Sequence, residues 1–126
     1  MGRMRTWRFG FDLDDTLGAQ PKMWKFITEA LMDAGAEVHV VTATHHDKAT
    51  DEDYAARKDQ LASLGIAYTD LYIAEPPICD SKRKYAKTVG LHWFVDNRAK
   101  NVAAVSQECP VALFIDIFDE STVGLG

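Results

Sequence analysis

Residues 7–17 read Trp-Arg-Phe-Gly-Phe-Asp-Leu-Asp-Asp-Thr-Leu, and this stretch decides how the rest of the chain is interpreted. Trp7, Phe9 and Phe11 alternate along it, which predicts a first β-strand that ends at Asp12. Acidic and hydroxyl side chains follow the strand at once, at 14–16. The sequence therefore opens with a buried strand that delivers polar groups to its carboxyl end.

Further strands and helices are predicted to alternate after this first strand. The predicted strands lie at 38–41, 71–74, 92–95 and 111–115, and the predicted helices at 21–34, 51–64, from Asp80 or Ser81 to Val89, and 98–107. Right-handed crossovers between such elements give a parallel sheet with helices on both faces. We therefore expect residues 1–126 to form one three-layer, Rossmann-like α/β domain with a five-stranded parallel sheet.

Composition limits the classes of function. The chain has 126 residues, is 47% hydrophobic and carries a formal net charge of −5, so it lacks the overall basic character of a nucleic-acid-binding protein. A local basic patch that contacts a nucleotide or a strand end stays compatible with that charge. No apolar run is long enough to span a bilayer, and no signal peptide is recognised, so a cytoplasmic protein without membrane contact is expected. Cys79 and Cys109 are predicted to be unpaired thiols.

Chemically useful residues collect at the predicted carboxyl ends of the strands, where open α/β sheets bind ligands. They are Asp12, Asp14, Thr42 and Asp96, with Lys82 near the start of a helix. Carboxylates gathered in one crevice repel each other, and a divalent cation removes that conflict. Ligands that are all oxygen favour Mg2+, which binds beside a substrate phosphate. A carboxylate, a cation and a lysine together favour phosphoryl transfer.

Four segments resemble, in order, the motifs of the haloacid-dehalogenase-like superfamily. Phe11-Asp12-Leu13-Asp14-Asp15-Thr16-Leu17 resembles its first motif, in which an apolar strand is followed by Asp-x-Asp-x-Thr. Val40-Val41-Thr42 is similar to the second motif, Lys82 to the third-motif lysine, and Phe94-Val95-Asp96-Asn97 to the fourth. The resemblance covers residues from about 6 to 115, which is nearly the whole chain.

This resemblance implies a magnesium-dependent phosphomonoester hydrolase, a phosphatase, that works through an aspartyl-phosphate intermediate. Asp12 would be the nucleophile and Asp14 the general acid/base. The metal ligands would be Asp12, Asp14 through its backbone carbonyl, and Asp96, while Thr42, Ala43 and Lys82 would bind the substrate. The resemblance also implies that the first strand lies between the second and the fourth. The chain has no room for a cap insertion, which favours a large phosphorylated substrate.

Several alternatives stay open at this point. Lys84 competes with Lys82 for the third-motif role, and Asn97 stands where the family often has a second Asp, so weaker metal binding is expected. The segment with Tyr54, Arg57 and Lys58 is interpreted as an exposed helix face, whereas Arg98 could reach the crevice.

The ligand and the class of protein also have alternatives. A loose similarity to the phosphatase domain of polynucleotide kinase-phosphatases makes a nucleotide or a nucleic-acid 3′-phosphate the candidate substrate. The alternative to an enzyme is a non-catalytic phosphate-binding protein or a receiver-like signalling domain. The sequence does not decide the oligomeric state.

Overall fold

The computed structural model describes residues 6–116 of the chain. Its strands are β1 (Arg8–Phe11), β2 (Glu37–Ala43), β3 (Asp70–Ala74), β4 (Trp93–Asp96) and β5 (Val111–Phe114). Its α-helices are α1 (Pro21–Asp33), α2 (Asp51–Leu64), α3 (Ile78–Val89) and α4 (Ala99–Val105). Strands and helices alternate as the sequence predicts.

The sheet is parallel throughout, and its strand order is β3-β2-β1-β4-β5. The chain builds outward from β1 to β2 and β3, then returns to place β4 on the other side of β1. The expected three-layer, Rossmann-like fold with helices on both sides of a five-stranded sheet is confirmed. Such an order has a switch point between β1 and β4, where ligands of open α/β sheets bind.

Two hydrophobic clusters lie on opposite faces of the sheet. Val40 belongs to the first cluster, with Leu61 of α2, whereas its neighbour Val41 belongs to the second, with Ala86 of α3. Successive strand residues point to opposite faces, so the apolar run in β2 supplies both clusters. Each helical layer therefore packs on its own side of the sheet.

Two local features differ from the sequence prediction. Residues Leu13–Leu17 form a short helical turn, in which Asp15 has a left-handed φ of 60° and the Gly18 N–H donates to the Leu13 carbonyl at 3.0 Å. Asp tolerates this conformation better than most residues. Helix α3 begins at Ile78, ahead of the predicted start, so Lys82 lies one turn inside the helix.

The longest helix of the described residues is α2, with 14 residues. Within residues 6–116, no helix has the length and the apolar character needed to cross a membrane.

Candidate functional site

A buried ion-pair cluster lies at the switch point of the sheet. Lys82 Nζ donates to Asp12 Oδ1 and to Asp96 Oδ2, each at 2.9 Å, and Lys82 is only 1% exposed. Asp12 follows β1, Asp96 ends β4, and Lys82 reaches them from α3. A lysine is buried this deeply only when it is paired, and here two carboxylates share its charge.

Hydrogen bonds fix the fully buried Asp96 in place. Its Oδ1 accepts from the backbone N–H of Arg98 at 2.9 Å, and its Oδ2 accepts from Asn101 Nδ2 at 3.0 Å as well as from Lys82. Asn101 Oδ1 in turn accepts from Cys79 Sγ at 3.2 Å. The first turns of α4 therefore hold this carboxylate in one orientation.

The surroundings of Asp12 change the pKa of its carboxyl group. Burial raises the pKa of Asp12 from 3.8 to about 6; Lys82 opposes this rise and the neighbouring Asp96 adds to it. The Thr16 hydroxyl donates to Asp12 Oδ2 at 3.4 Å. At neutral pH the carboxylate is ionised, but it takes up a proton in mildly acidic solution.

Three oxygens converge on the side-chain amide of Asn97. With its NH2 group turned toward them, this amide donates to Asp12 Oδ2 at 2.9 Å and to the Asp14 carbonyl and Asp96 Oδ1 at 3.3 Å. Among residues 6–116, no three His, Cys, Asp or Glu side chains group as metal ligands. The same three oxygens, from two carboxylates and one carbonyl, are of the kind that Mg2+ prefers, and a bound ion would take the place of the Asn97 N–H groups. The residues present therefore fit a magnesium ion.

The Asp14 carboxylate points away from that cluster and pairs with Arg57 of α2. Arg57 Nη1 donates to Asp14 Oδ1 and Nη2 to Asp14 Oδ2, both at 3.0 Å, and Nη2 also donates to the Ala43 carbonyl at 3.2 Å. The Arg57 side chain is only 13% exposed. The interpretation of Arg57 as part of an exposed helix face is therefore wrong. The one available signal was its position on the helix that follows the carboxyl end of β2.

An open cleft of about 600 Å3 lies above these groups. The site residues predicted from the sequence that line it are Asp12, Asp14, Ala43 and Lys82; Arg98 and Lys100 add positive charge, and His45 and Cys79 also contribute. Arg98 thus reaches the cleft, as the sequence left open. Lys84 does not: its side chain is 69% exposed and pairs with Asp80 on the surface of α3.

Thr42 lies at the carboxyl end of β2, directly before the cleft-lining residues Ala43 and Thr44. Its hydroxyl is completely buried and has no hydrogen-bond partner among the described residues. An unpaired buried hydroxyl costs stability, so this group, which belongs to the residue before the lining and not to the lining itself, calls for an explanation.

Comparisons with known proteins relate the fold to one described structure. No protein-family model and no curated protein matches the chain. A solved structure that is similar is the crystal structure of universal stress protein in complex with cAMP. The TM-score is 0.55 and the identity 13%, and the match covers 91% of this chain and 100% of that one. At this identity the likeness concerns the fold.

This finding contradicts the predicted haloacid-dehalogenase-like family, and with it the predicted phosphatase activity. The similar structure is a universal stress protein, and no phosphatase family is matched. Within the site, the two carboxylates expected to do the chemistry are both held by cations, Asp12 by Lys82 and Asp14 by Arg57. The expected aspartyl-phosphate intermediate, the nucleophile role of Asp12 and the acid/base role of Asp14 fall with that activity.

Proposed function

We propose that the chain is a non-catalytic nucleotide-binding domain that holds the phosphate of its ligand, together with Mg2+, in the cleft at the switch point. The observation that carries this proposal is the buried Thr42 hydroxyl without a partner among the described residues. A phosphate oxygen would accept its hydrogen bond and remove the cost of leaving it unpaired. Ala43 lines the cleft beside it, and Lys82 contributes positive charge at its base.

The balance of charge explains why a cation would accompany the phosphate. Three carboxylates, those of Asp12, Asp14 and Asp96, face two cations, Lys82 and Arg57. Asp15, Arg98 and Lys100 also line the cleft, so the excess of one negative charge concerns this paired cluster, and a phosphate beside the cluster would add to that excess. Mg2+ held by the Asp12 and Asp96 carboxylates and the Asp14 carbonyl would supply the positive charge that attracts the phosphate. Arg98 and Lys100 would assist from the rim of the cleft.

Two observations favour a nucleotide as the ligand. The strand order β3-β2-β1-β4-β5 is the order of strands that binds nucleotides in Rossmann folds, with the ligand at the switch point. The similar universal stress protein is in complex with cAMP. A receiver-like domain is disfavoured, because the related flavodoxin-like order is 2-1-3-4-5 and β3 here lies at an edge of the sheet.

Isothermal titration calorimetry tests this proposal with AMP, cAMP and inorganic phosphate as probes, each with and without Mg2+. We expect at least one nucleotide to bind, with Mg2+ strengthening the binding. Thr42→Val should weaken it by about tenfold, the value of one good hydrogen bond. Thr28→Val is the matched control, since the Thr28 hydroxyl is equally buried but donates to the Trp24 carbonyl in α1.

Two outcomes would overturn the proposal. One is the absence of binding for all three probes at millimolar concentration. The other is magnesium-dependent release of inorganic phosphate from AMP or a generic aryl phosphate, followed by a colorimetric phosphate assay, because a non-catalytic domain releases none.

A further inference from the structure

A second, smaller cleft of about 230 Å3 lies beside the main one, and nothing in the proposed function uses it. Its walls come from the loop after β2 and from one side of α2, with the apolar Ile73 of β3 as a further lining residue. They include Thr44, His45, Asp53, Ala56, Arg57 and Gln60. We call it the α2 cleft.

The α2 cleft and the main cleft are neighbours. Thr44 and His45 line both of them. Arg57 forms a wall of the α2 cleft while its guanidinium holds Asp14, which lines the main cleft. A ligand whose phosphate lies in the main cleft could therefore extend past Arg57 into the α2 cleft without crossing the sheet.

The lining of the α2 cleft offers hydrogen bonds of both kinds. Asp53 provides carboxylate oxygens, and hydrogen bonds from Thr50 lower its pKa, so it remains an acceptor. Arg57 Nη1 already donates a hydrogen bond to Gln60 Oε1 at 3.0 Å, and both side chains carry further N–H groups. No Phe, Tyr or Trp of the described residues lines the cleft, so the small imidazole ring of His45 is the one aromatic face that they offer to a base. These groups match the hydroxyls of a sugar.

The size of the α2 cleft agrees with this chemistry. Pockets that enclose a drug-sized ligand have volumes of roughly 300–1,000 Å3. At about 230 Å3 the α2 cleft is smaller than that range, and it is partly open to solvent. One ring with hydroxyl groups suits it better than a fused base with its sugar.

We propose that the α2 cleft binds the sugar ring of the ligand, so that the ligand class is a ribosyl phosphate. This inference rests on the proposed function, because it requires the phosphate of the same ligand to occupy the main cleft. The sugar could belong to a nucleotide or to a free pentose phosphate. In both, hydroxyl groups would bind Asp53 and Gln60 while the phosphate remains near Thr42 and Lys82.

Calorimetric titration with three probes, all in Mg2+, tests the inference. The probes are inorganic phosphate, ribose 5-phosphate and AMP. We expect ribose 5-phosphate to bind about tenfold more tightly than inorganic phosphate, as one or two additional hydrogen bonds would give. AMP that binds as tightly as ribose 5-phosphate indicates that the base stays in solvent, whereas tighter AMP binding identifies a nucleotide; both results support the sugar site.

A pair of variants on α2 separates the two clefts. Ala56 is exposed and lines the α2 cleft, so Ala56→Leu narrows the cleft. Leucine has a helix propensity close to that of alanine, so the substitution should leave α2 intact. Ala55 is also exposed but lines neither cleft, so Ala55→Leu is the matched control. Ala56→Leu should remove the advantage of ribose 5-phosphate and leave inorganic phosphate unchanged. Ala55→Leu should change neither affinity.

The outcomes distinguish this inference from the function on which it rests. If none of the phosphates binds, the proposed function fails. If inorganic phosphate binds but ribose 5-phosphate binds no more tightly, only the sugar site is refuted. The same holds if Ala56→Leu and Ala55→Leu have equal effects on ribose 5-phosphate. The comparison of probes on the unmodified chain needs no variant to fold.

Discussion

Replacing Lys82 with methionine removes the cation that Asp12 and Asp96 share, while a side chain of similar length still fills the space. Lys82 Nζ lies 2.9 Å from an oxygen of each carboxylate, and all three groups are buried. Removing one partner of a buried ion pair costs about 3–5 kcal/mol, because the remaining charges are left without compensation. We expect Lys82→Met to lower the free energy of unfolding by about this amount at pH 7.

The loss should depend on pH in a direction that the pKa of Asp12 fixes. Because this pKa is about 6 in the folded chain against an ordinary value of 3.8, ionised Asp12 costs the folded state about 3 kcal/mol even with Lys82 present. The folded state binds more protons between these values, so stability falls as pH rises through that window. Without Lys82 the folded pKa rises further. The deficit of Lys82→Met should therefore shrink by at least about 1 kcal/mol between pH 7 and pH 5.

Urea unfolding followed by circular dichroism, in buffers that contain EDTA, measures both effects. Lys84→Met is the matched control, since Lys84 is exposed on the same helix and its solvent-exposed pair with Asp80 should contribute little to stability. Equal destabilisation by the two substitutions at pH 7 would refute the reasoning. A deficit of Lys82→Met that is the same at pH 5 and pH 7 would refute the assigned role of Asp12.

Three further predictions concern other parts of the molecule. Thr42→Val, measured by urea unfolding without ligand, should stabilise the chain by about 1 kcal/mol because it removes an unpaired buried hydroxyl; destabilisation would mean that the hydroxyl has a partner. Gly10→Ala should destabilise by about 1–3 kcal/mol, since its Cβ would lie 2.7 Å from Leu91 Cδ1 in a packed core, and an unchanged urea midpoint would contradict that packing. Burial raises the pKa of Tyr85 to about 12, so stability should fall as pH rises above 10; in an absorbance titration at about 295 nm, Tyr85→Phe should remove an ionisation near pH 12.

Much of the fold could be predicted from the sequence, because the spacing of apolar residues agrees with the positions of the residues that begin and end helices. The predicted helix at 51–64 matches α2 at both ends, where Thr50 accepts from the Asp53 N–H and Gly65 takes a left-handed conformation. The predicted start of α3 is too late, since Pro77 precedes the helix without a side-chain hydrogen bond and so gives no cap signal. The helical form of the turn at Leu13–Leu17 depends on the left-handed conformation of Asp15, which composition does not reveal.

The site could be predicted in part, and the limits have physical causes. Asp12 and Asp96 meet because β1 and β4 are adjacent parallel strands, an adjacency that was expected from the family resemblance, and Lys82 reaches both carboxylates from α3. The prediction of an exposed Arg57 is wrong, since whether a long side chain on a polar helix turns toward solvent or toward Asp14 depends on tertiary packing. The phosphatase prediction was wrong because a motif of few residues fixes neither family nor activity.

The switch point between β1 and β4 has a consequence for hydrogen exchange in the helices on both faces of the sheet. Arg57 comes from α2 and Lys82 from α3, and these helices cover opposite faces of the sheet. A ligand that contacts both side chains would link the two helical layers across the sheet. Amide hydrogen exchange in α2 and α3 would then slow together and by a common factor when the ligand binds, because each opening would first require its release. Ligand binding at the switch point would therefore make α2 and α3 open as one cooperative unit.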